Sequence, residues 1–252
     1  MANGIAVVTV SGFGKSSSLG ASQELGIKGL NPKETVIINV KGKPLPFRGW
    51  AKMYVPPISS GGNYYAGTDY VAIANILDHI NVERHDIKNV VIDDFQYLLA
   101  EQFMQDALKT GYEKFSKLAK NAYDILSRGL NMRHDINFII LTHAEEVKHG
   151  LTETYKMKTI GKLLDEKVTL EGLFTILLYG KQDFNSTSKQ VSKQFVTNYD
   201  GQYPAKSPIG MFKELYIPND LGYVVDSINA YYNGEDAPTP VIENTSINSE
   251  NT

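Results

Sequence analysis

The strongest constraint on this chain is an apolar strand that runs directly into a glycine-rich turn, Val7-Val8-Thr9-Val10-Ser11-Gly12-Phe13-Gly14-Lys15-Ser16. Glycines at alternate positions allow positive φ angles, which let main-chain N–H groups point inward around an anion. Lys15 adds a mobile positive charge for β- and γ-phosphates, and the Ser16 hydroxyl suits Mg²⁺. Thr9 stands where the motif G-x-x-x-x-G-K-[ST] has its first glycine. The pattern predicts a phosphate-binding loop made of Ser11, Gly12, Phe13, Gly14, Lys15, Ser16 and Ser17.

Two other interpretations of this turn are a Gly/Ser turn that binds nothing and a dinucleotide-binding turn. The dinucleotide motif G-x-G-x-x-G is disfavoured because Ser17 stands where the third glycine belongs. No acidic residue ends the next strand, residues 36–40, as that fold requires. A helix over residues 17–27 is expected after the loop, and its N-terminus would favour the same anion.

A second signal is the apolar strand at residues 89–92, which ends in Asp93 and Asp94. An apolar strand that ends in two carboxylates is typical of a Walker B element. In that arrangement Asp93 holds the Mg²⁺ water shell opposite Ser16. Asp94 would polarise the attacking water and act as the catalytic base. The alternative is a buried strand followed by two acids that cap a helix.

A third apolar strand, residues 137–141, leads into Thr142 and His143. Ligand sites of α/β proteins form at the carboxyl ends of parallel strands, so these two residues are candidate sensors of the γ-phosphate. A structural histidine with its hydrogen bonds satisfied is the alternative for His143. Glu145 follows as the second candidate for the catalytic base, together with Glu146.

Composition limits the classes of protein that fit. The 252 residues are 42% apolar and include no cysteine, which excludes disulfides and thiolate metal sites. Residues 233–252 carry four acids and no Lys or Arg, so the rest of the chain, with 25 basic and 24 acidic residues, has a net charge near +1. Nucleic-acid contact would therefore depend on a local patch. No apolar run approaches the ~20 residues that span a bilayer, so we expect a soluble, cytoplasmic protein without a membrane partner.

The order of elements favours an α/β fold. Strands alternate with helices as far as residue 142, including a capped helix at 69–80 and a helical segment at 97–132 that breaks near Gly111. Later come two paired strands, at 173–179 and 194–199, and a final helix at 222–232. This order predicts a mostly parallel sheet with antiparallel strands at one edge. Residues 1–232 should form one domain, and residues 233–252 an acidic, disordered tail.

Several blocks in one order resemble a family of bacteriophage ATP-binding proteins, over about residues 5–232. The blocks are Ser11–Ser16, Ile38-Asn39-Val40-Lys41-Gly42-Lys43-Pro44-Leu45-Pro46, Val91-Ile92-Asp93-Asp94-Phe95-Gln96-Tyr97, Leu141-Thr142-His143-Ala144-Glu145, Thr159-Ile160-Gly161-Lys162 and Ala205-Lys206-Ser207-Pro208-Ile209-Gly210-Met211-Phe212. This family is similar to a reduced RecA-like P-loop ATPase core and is related to phage single-strand annealing recombinases.

The resemblance implies a RecA-like core that uses ATP and Mg²⁺ with single-stranded DNA, in recombination, annealing or replication. It also implies self-association into a ring or filament with nucleotide near the interface, and a single-strand binding protein is a further candidate partner. Lys206 lies in the region that supplies a basic finger to the neighbouring subunit in such proteins; the alternative is a solvated surface lysine. RecA proteins carry a catalytic glutamate after their second strand, whereas this chain has Asn39 and Lys41 there.

The same resemblance places the DNA on a mobile loop after the third strand. Lys148, Lys156, Lys158 and Lys162 would neutralise phosphates, and Tyr155 would stack on a base. The alternative for this segment is a hairpin with a solvated lysine face. A nucleotide-binding switch or assembly protein with little hydrolysis is a second candidate function. A small-molecule kinase is a third, but it lacks the usual arginine-rich lid, since the four arginines are Arg48, Arg84, Arg128 and Arg133.

Overall fold

The computed structural model describes residues 1–149, 152–160, 168–187 and 189–239. Within these residues the strands form one nine-stranded sheet in the order β3-β2-β4-β5-β1-β7-β8-β9, with β6 paired to β5. The strands are β1 (Asn3–Thr9), β2 (Thr35–Asn39), β3 (Tyr64–Ala66), β4 (Asn89–Asp93), β5 (Asn137–His149), β6 (Thr152–Met157), β7 (Ile176–Asn185), β8 (Gln190–Val196) and β9 (Tyr216–Pro218). The helices are α1 (Trp50–Met53), α2 (Tyr70–Glu83), α3 (Gln96–Gln105), α4 (Glu113–Leu130) and α5 (Leu221–Asn233).

The predicted α/β class is confirmed: a mostly parallel sheet is flanked by helices and has antiparallel strands at one edge. Strands β1 to β5 and β7 pair in parallel, whereas β8 and β9 are antiparallel to their neighbours. Their near-continuous apolar runs are buried on both faces of the sheet. One apolar cluster lies under α2, α3 and α4, and the other includes the buried face of α5.

The register of the parallel strands brings the predicted polar ends together. Thr9 at the end of β1 pairs with His143 of β5, and Asn39 at the end of β2 pairs with Asp93 of β4. At the opposite ends of the strands, Asn137 accepts a hydrogen bond from Asn3 at 3.0 Å and donates one to Asn89 at 3.0 Å. These side-chain amides fix the register, because a slip would leave buried polar groups unpaired.

Helix boundaries largely follow the sequence signals. Asp69 caps α2 by accepting hydrogen bonds from the N–H groups of Val71 and Ala72. The break predicted near Gly111 separates α3 from α4, and Gly111 has a φ of 88° that favours glycine. Strand β3, which is three residues long, was not predicted, because the sequence around it is rich in glycine and proline.

The predicted helix over residues 17–27 is wrong. A short 3₁₀ helix, Lys15–Leu19, is followed by turns and by an antiparallel bridge between Ser22 and Ile27. A side chain at Gly20 would overlap the Phe47 ring, with an added Cβ only 2.2 Å from Phe47 Cγ, so this close packing needs glycine. Since no helix of useful length follows the loop, its anion affinity rests on the loop's own N–H groups and lysine rather than on a helix dipole.

The structure adds detail to the predictions at the β5–β6 pair and at the end of α5. β5 continues past His143 to His149 and pairs in antiparallel fashion with β6, so residues 152–157 of the predicted mobile loop form a strand. Helix α5 ends at Asn233 with Gly234 in the left-handed conformation. Most of the predicted tail, residues 240–252, lies outside the described residues. No helix among the described residues combines the length and apolar character that crossing a bilayer requires.

Candidate functional site

The glycine-rich turn has the geometry that the motif predicts. Gly12 and Gly14 have φ angles of 80° and 98°, in the left-handed region. Phe13 between them is fully buried and stacks on Phe195 of β8, with ring centroids 5.9 Å apart. Gly180 of β7 lies under the same ring, where an added Cβ would be 2.9 Å from it. The turn is therefore anchored to the sheet by its one apolar side chain, and its main chain is left to face the cavity.

Thr9 explains the departure from the motif. It is the last residue of β1, fully buried, and it pairs in parallel with His143. Its Cγ2 atom packs against Gly180, where an added Cβ would approach within 2.7 Å. A β-branched residue suits this extended strand position, so the first glycine of the motif is not needed here.

Ser16 and Asp93 meet as the sequence predicts. Ser16 Oγ donates a hydrogen bond of 2.9 Å to Asp93 Oδ1. Burial, and then the neighbouring charge of Asp94, raise the pKa of Asp93 to about 6. A hydroxyl and a carboxylate are hard oxygen donors, which fit Mg²⁺. Among the described residues no cluster of three or more His, Cys, Asp or Glu side chains could hold a metal ion. A cation here would therefore need further oxygens from water or from a bound phosphate.

Lys15 is held by the second acid of the pair. Its Nζ lies 2.7 Å from Asp94 Oδ1 and 3.3 Å from His143 Nε2. Asp94 has a φ of 65°, unusual for a residue other than glycine. Burial alone would raise the pKa of Asp94, but hydrogen bonds from His143 and Lys15 and the positive charges of Lys15 and Lys43 hold that pKa well below its usual range. Asp94 is therefore a carboxylate anion surrounded by cationic and polar groups.

A cavity of about 340 Å³ joins these elements. The predicted residues that line it are Ser11, Gly12, Phe13, Gly14, Lys15, Ser16, Ser17, Asp93, Asp94 and His143. The segment that follows β2 also lines it, through Lys43, Pro44, Leu45 and Pro46. The position of this segment beside the glycine-rich turn favours a nucleotide contact over a packed surface loop.

Sequence reasoning missed the aromatic wall of the cavity. Tyr97 lies in the first turn of α3, just after the acid pair, and its ring lies edge-on to His143, with centroids 6.1 Å apart. The Nζ atoms of Lys41 and Lys43 lie 5.2 and 5.3 Å from the centre of the same ring. The position of Tyr97, a few residues after the acid pair at the start of a helix, was the available signal.

Thr142 supports the site without lining its cavity. It is fully buried, and its hydroxyl donates to Gln96 Oε1 at 3.3 Å. The structure thus brings His143, rather than Thr142, to the cavity. The role of Thr142 as a γ-phosphate sensor remains a prediction. Because its hydroxyl is bonded to Gln96 and does not face the cavity, Thr142 would act on the phosphate only indirectly.

Glu145 and Lys206 lie apart from the acid pair. Glu145 sits farther along β5, where its carboxylate is 3.0 Å from the Nζ of Lys156 across the hairpin. Lys206 is exposed, and its main chain forms two hydrogen bonds with Leu177 of β7, of 2.8 and 2.9 Å. Neither side chain lines the cavity described above.

Of the lysines predicted to bind DNA, Lys148 lies on β5, Lys156 on β6, and Lys158 directly after β6. Lys148 lies 3.0 Å from Glu146 and 2.9 Å from Glu153. Lys158 is exposed, and its N–H donates to the carbonyl of His143 at 2.8 Å. Lys162 lies outside the described residues.

Tyr155 differs from the expectation of an open aromatic surface. It is half-buried and stacks on Tyr203, with ring centroids 4.7 Å apart and planes 11° from parallel. One face of the ring is therefore already covered by the protein. The cause is that β6 lies next to the segment that holds Tyr203, where the Tyr155 N–H donates to the Gln202 carbonyl at 3.4 Å; periodicity in this polar segment did not reveal this contact.

Comparisons with known proteins add little to this geometry. No family model matches the chain, and no curated protein matches it. A similar solved structure is that of the KaiC-like protein PH0186 from Pyrococcus horikoshii OT3, with 14% sequence identity over 77% of each chain and a TM-score of 0.38. A likeness of this size carries no information about function.

Proposed function

We propose that this protein binds ATP with Mg²⁺ and hydrolyses it as a P-loop ATPase. The observation that carries the proposal is the 2.9 Å hydrogen bond between Ser16 and Asp93, formed beside Lys15. A hydroxyl from a glycine-rich turn and a carboxylate from a strand end meet in this way where a nucleotide's metal ion is held. If the turn were solvated and bound nothing, the burial of two carboxylates next to it would be unexplained.

Each residue has a definite part in this proposal. The N–H groups of the glycine-rich turn and Lys15 bind the phosphates, while Ser16 and Asp93 would hold Mg²⁺. When bound, Mg²⁺ neutralises charge on the β- and γ-phosphate oxygens. Phosphates compete with Asp94 for Lys15, so nucleotide binding frees the Asp94 carboxylate. Asp94 then orients a water molecule and accepts its proton, with His143 alongside. The water oxygen bonds to the γ-phosphorus, the bond from that phosphorus to the β–γ bridging oxygen breaks, and ADP leaves.

A second candidate function, a nucleotide-binding switch with little hydrolysis, is favoured by the same carboxylate. The low pKa of Asp94 makes it a weak base. The end of β2 offers no replacement, since the Asn39 amide donates to the Lys43 carbonyl at 2.7 Å and to the Tyr64 hydroxyl at 3.0 Å. Single-turnover hydrolysis with and without single-stranded DNA separates the candidates: a switch shows slow hydrolysis that DNA leaves unchanged.

The biological setting is a further part of the proposal. We propose that the protein acts with single-stranded DNA in bacteriophage recombination, annealing or replication, in the cytoplasm of the bacterial host. Self-association into a ring or filament and contact with a single-strand binding protein belong to the same proposal. Its support is the sequence resemblance over residues 5–232. Lys148, Lys156 and Lys158 are the candidate phosphate contacts, although three glutamates of the same segment balance their charge.

The nucleotide proposal is tested by binding measurements with ATP. Lys15→Ala removes the charge that meets the phosphates, so most of the ATP affinity should disappear while the fold is retained. An unchanged dissociation constant for ATP would show that the turn does not bind phosphate.

The metal proposal is tested with Asp93→Asn, measured in Mg²⁺ and in EDTA. The substitution should weaken binding in Mg²⁺ more than in EDTA, because Asp93 is assigned to the metal. Asp86→Asn, a change to an exposed carboxylate paired with Arg84, serves as the matched control and should leave both affinities unchanged. Equal losses in Mg²⁺ and EDTA would assign Asp93 to the structure of the loop instead.

A further inference from the structure

A second lysine reaches the glycine-rich turn from strand β8. Lys193 of β8 donates from its Nζ to the Gly12 carbonyl at 3.2 Å. An added Cβ on Gly14 would lie 3.6 Å from the same Nζ, so the ammonium group spans the turn between its two glycines. Lys193 is far from the turn in sequence, and no motif points to it.

The sheet explains why this lysine lies here. β7 pairs with β1 through Val8 and Tyr179, then continues past the end of β1 with β8 as its antiparallel partner. The β7–β8 hairpin thereby extends beside the glycine-rich turn. Lys193 and Phe195 are two residues apart on β8, so they point to the same face. Phe195 stacks on Phe13 in the turn, which places Lys193 on the face that borders it.

The ammonium group of Lys193 is available for another acceptor. It is on an exposed residue, and among the described residues it forms no ion pair with a carboxylate. Its one hydrogen bond uses one of three N–H donors and goes to a neutral carbonyl. Lys15 differs, since its Nζ is engaged by the Asp94 carboxylate at 2.7 Å. Asn219 donates to the Gly14 carbonyl at 3.2 Å, which holds the outer side of the turn in place next to Lys193.

We propose that Lys193 is a phosphate-binding residue that serves the glycine-rich turn of its own chain. On nucleotide binding, its Nζ exchanges the Gly12 carbonyl for the phosphate chain, a stronger acceptor because it is charged. Lys15 from inside the turn and Lys193 from the β7–β8 hairpin thus both serve the phosphates, in addition to Lys43 in the cavity wall. This inference rests on the proposed nucleotide-binding function and deepens it.

The test compares ATP affinity in four proteins: wild type, Lys193→Met, Lys189→Met and Lys15→Ala. Methionine keeps the apolar stem and removes the charge. Lys189 is the matched control, since it is exposed and precedes β8 on the same hairpin. Losing one charge-assisted bond should weaken ATP binding by about ten- to a hundredfold in Lys193→Met and leave Lys189→Met unchanged. An unchanged melting temperature without nucleotide checks that the fold is intact.

The outcomes separate this inference from the function on which it rests. Wild-type affinity in Lys193→Met, together with a loss in Lys15→Ala, overturns the role of Lys193 and leaves the phosphate site standing. Equal ATP binding in wild type and Lys15→Ala overturns both. A mixture of Lys193→Met and Lys15→Ala subunits tests whether the lysine acts within one chain. Wild-type affinity at about a quarter of the sites in an equal mixture would mean that Lys193 serves a neighbouring subunit, which contradicts the proposal.

Discussion

Asp94 combines three features that meet at functional sites: burial, a left-handed backbone and an ion pair with the lysine of the glycine-rich turn. Holding a residue other than glycine in this conformation costs roughly 1–3 kcal/mol, which the surrounding fold must offset. The conformation turns the chain between β4 and α3 and points the carboxylate at Lys15. The strained backbone is therefore what brings the second acid of the pair to the lysine.

The role of Asp94 is tested by Asp94→Asn. If Asp94 is the base, turnover should fall by roughly a hundredfold or more, because the amide cannot accept the proton. ATP binding should be spared, since Lys15 loses the carboxylate that competes with the phosphates. Steady-state hydrolysis and ATP dissociation constants measure the two effects separately.

Glu145→Gln is the matched change for that experiment, since it removes a carboxylate from the next candidate base. Its ion pair with Lys156 at 3.0 Å lies outside the cavity, so turnover should stay within a few-fold of wild type. If Glu145→Gln causes the large loss and Asp94→Asn does not, then Glu145 is the base.

At the scale of single residues, the sequence predicted contacts between residues that lie at the ends of parallel strands. It missed contacts that depend on how strands far apart in the sequence pair with one another. Ser16 and Asp93 could be placed together because parallel strands end at one edge of the sheet. Lys193 could not be placed, because its position depends on how far β7 extends beyond β1. Nothing local in the sequence around residue 193 encodes that extension.

Among the elements, the segment after the glycine-rich turn depends most on contacts that are remote in sequence. It lacks the expected helix, and Asp220 holds it instead. The Asp220 carboxylate accepts hydrogen bonds from the N–H groups of Lys28 at 2.7 Å, Gly29 at 3.0 Å and Gly222 at 2.8 Å. The same residue caps α5, so one buried carboxylate joins the segment to the last helix.

Asp220→Ala should lower the free energy of unfolding by about 2–4 kcal/mol, because it removes a helix cap and leaves buried N–H donors without an acceptor. Urea denaturation measures this change. Asp226→Ala on the same helix removes an exposed partner of the Lys28 side chain and should cost about 1 kcal/mol or less. Equal effects of the two substitutions would contradict the clamp role of Asp220.

The elements that the sequence predicted well have strong local signals. The buried strands are apolar runs, and the helices α2, α4 and α5 show apolar periodicity; α2 and α5 also have capping aspartates. The segment at residues 17–27, wrongly predicted as a helix, shows partial apolar periodicity. It also contains three serines, and its Gly20 is needed for close packing. Tertiary contacts at Gly20 and Gly29 decided that segment, and a single sequence does not display them.

The β5–β6 hairpin gives the DNA proposal a measurable form. Its lysines face glutamates across the strands, which stabilises the hairpin and reduces its net charge. If Lys156 and Lys158 contact DNA phosphates, each contact removed by Lys156→Ala/Lys158→Ala should lower the salt slope of log affinity by ~0.7 for a single strand. Binding of a labelled oligonucleotide across a salt series measures the slope.

Lys120→Ala on α4 is the control for that experiment, since Lys120 is an exposed lysine paired with Asp124 away from the hairpin. It should leave the slope unchanged. An unchanged slope in the hairpin variant as well would exclude the hairpin as the DNA contact. The next candidates would then be Lys41, Lys43 and Arg48, of which Lys43 lines the cavity.

At the scale of the whole molecule, the question is whether a neighbouring subunit completes the site. Lys206 is exposed, and its main chain is fixed to β7 by two hydrogen bonds with Leu177. A fixed backbone with an exposed side chain suits a residue that is presented to a partner. A head-to-tail interface of the kind that builds rings and filaments would carry Lys206 to the next subunit's cavity.

Mixing inactive subunits tests this arrangement. Lys206→Ala and Lys15→Ala proteins should each lack turnover, the first by losing the finger and the second by losing the phosphate lysine. In an equal mixture, about one interface in four pairs an intact Lys15 with an intact Lys206 from its neighbour, so roughly a quarter of wild-type turnover should return in a head-to-tail assembly. Light scattering under the same conditions establishes that the subunits assemble. The Lys193→Met and Lys15→Ala mixture is the contrasting case, because a lysine that serves its own chain gives no recovery. Turnover in the Lys206 mixture that never exceeds the sum of the separate proteins would mean that Lys206 is a solvated surface lysine.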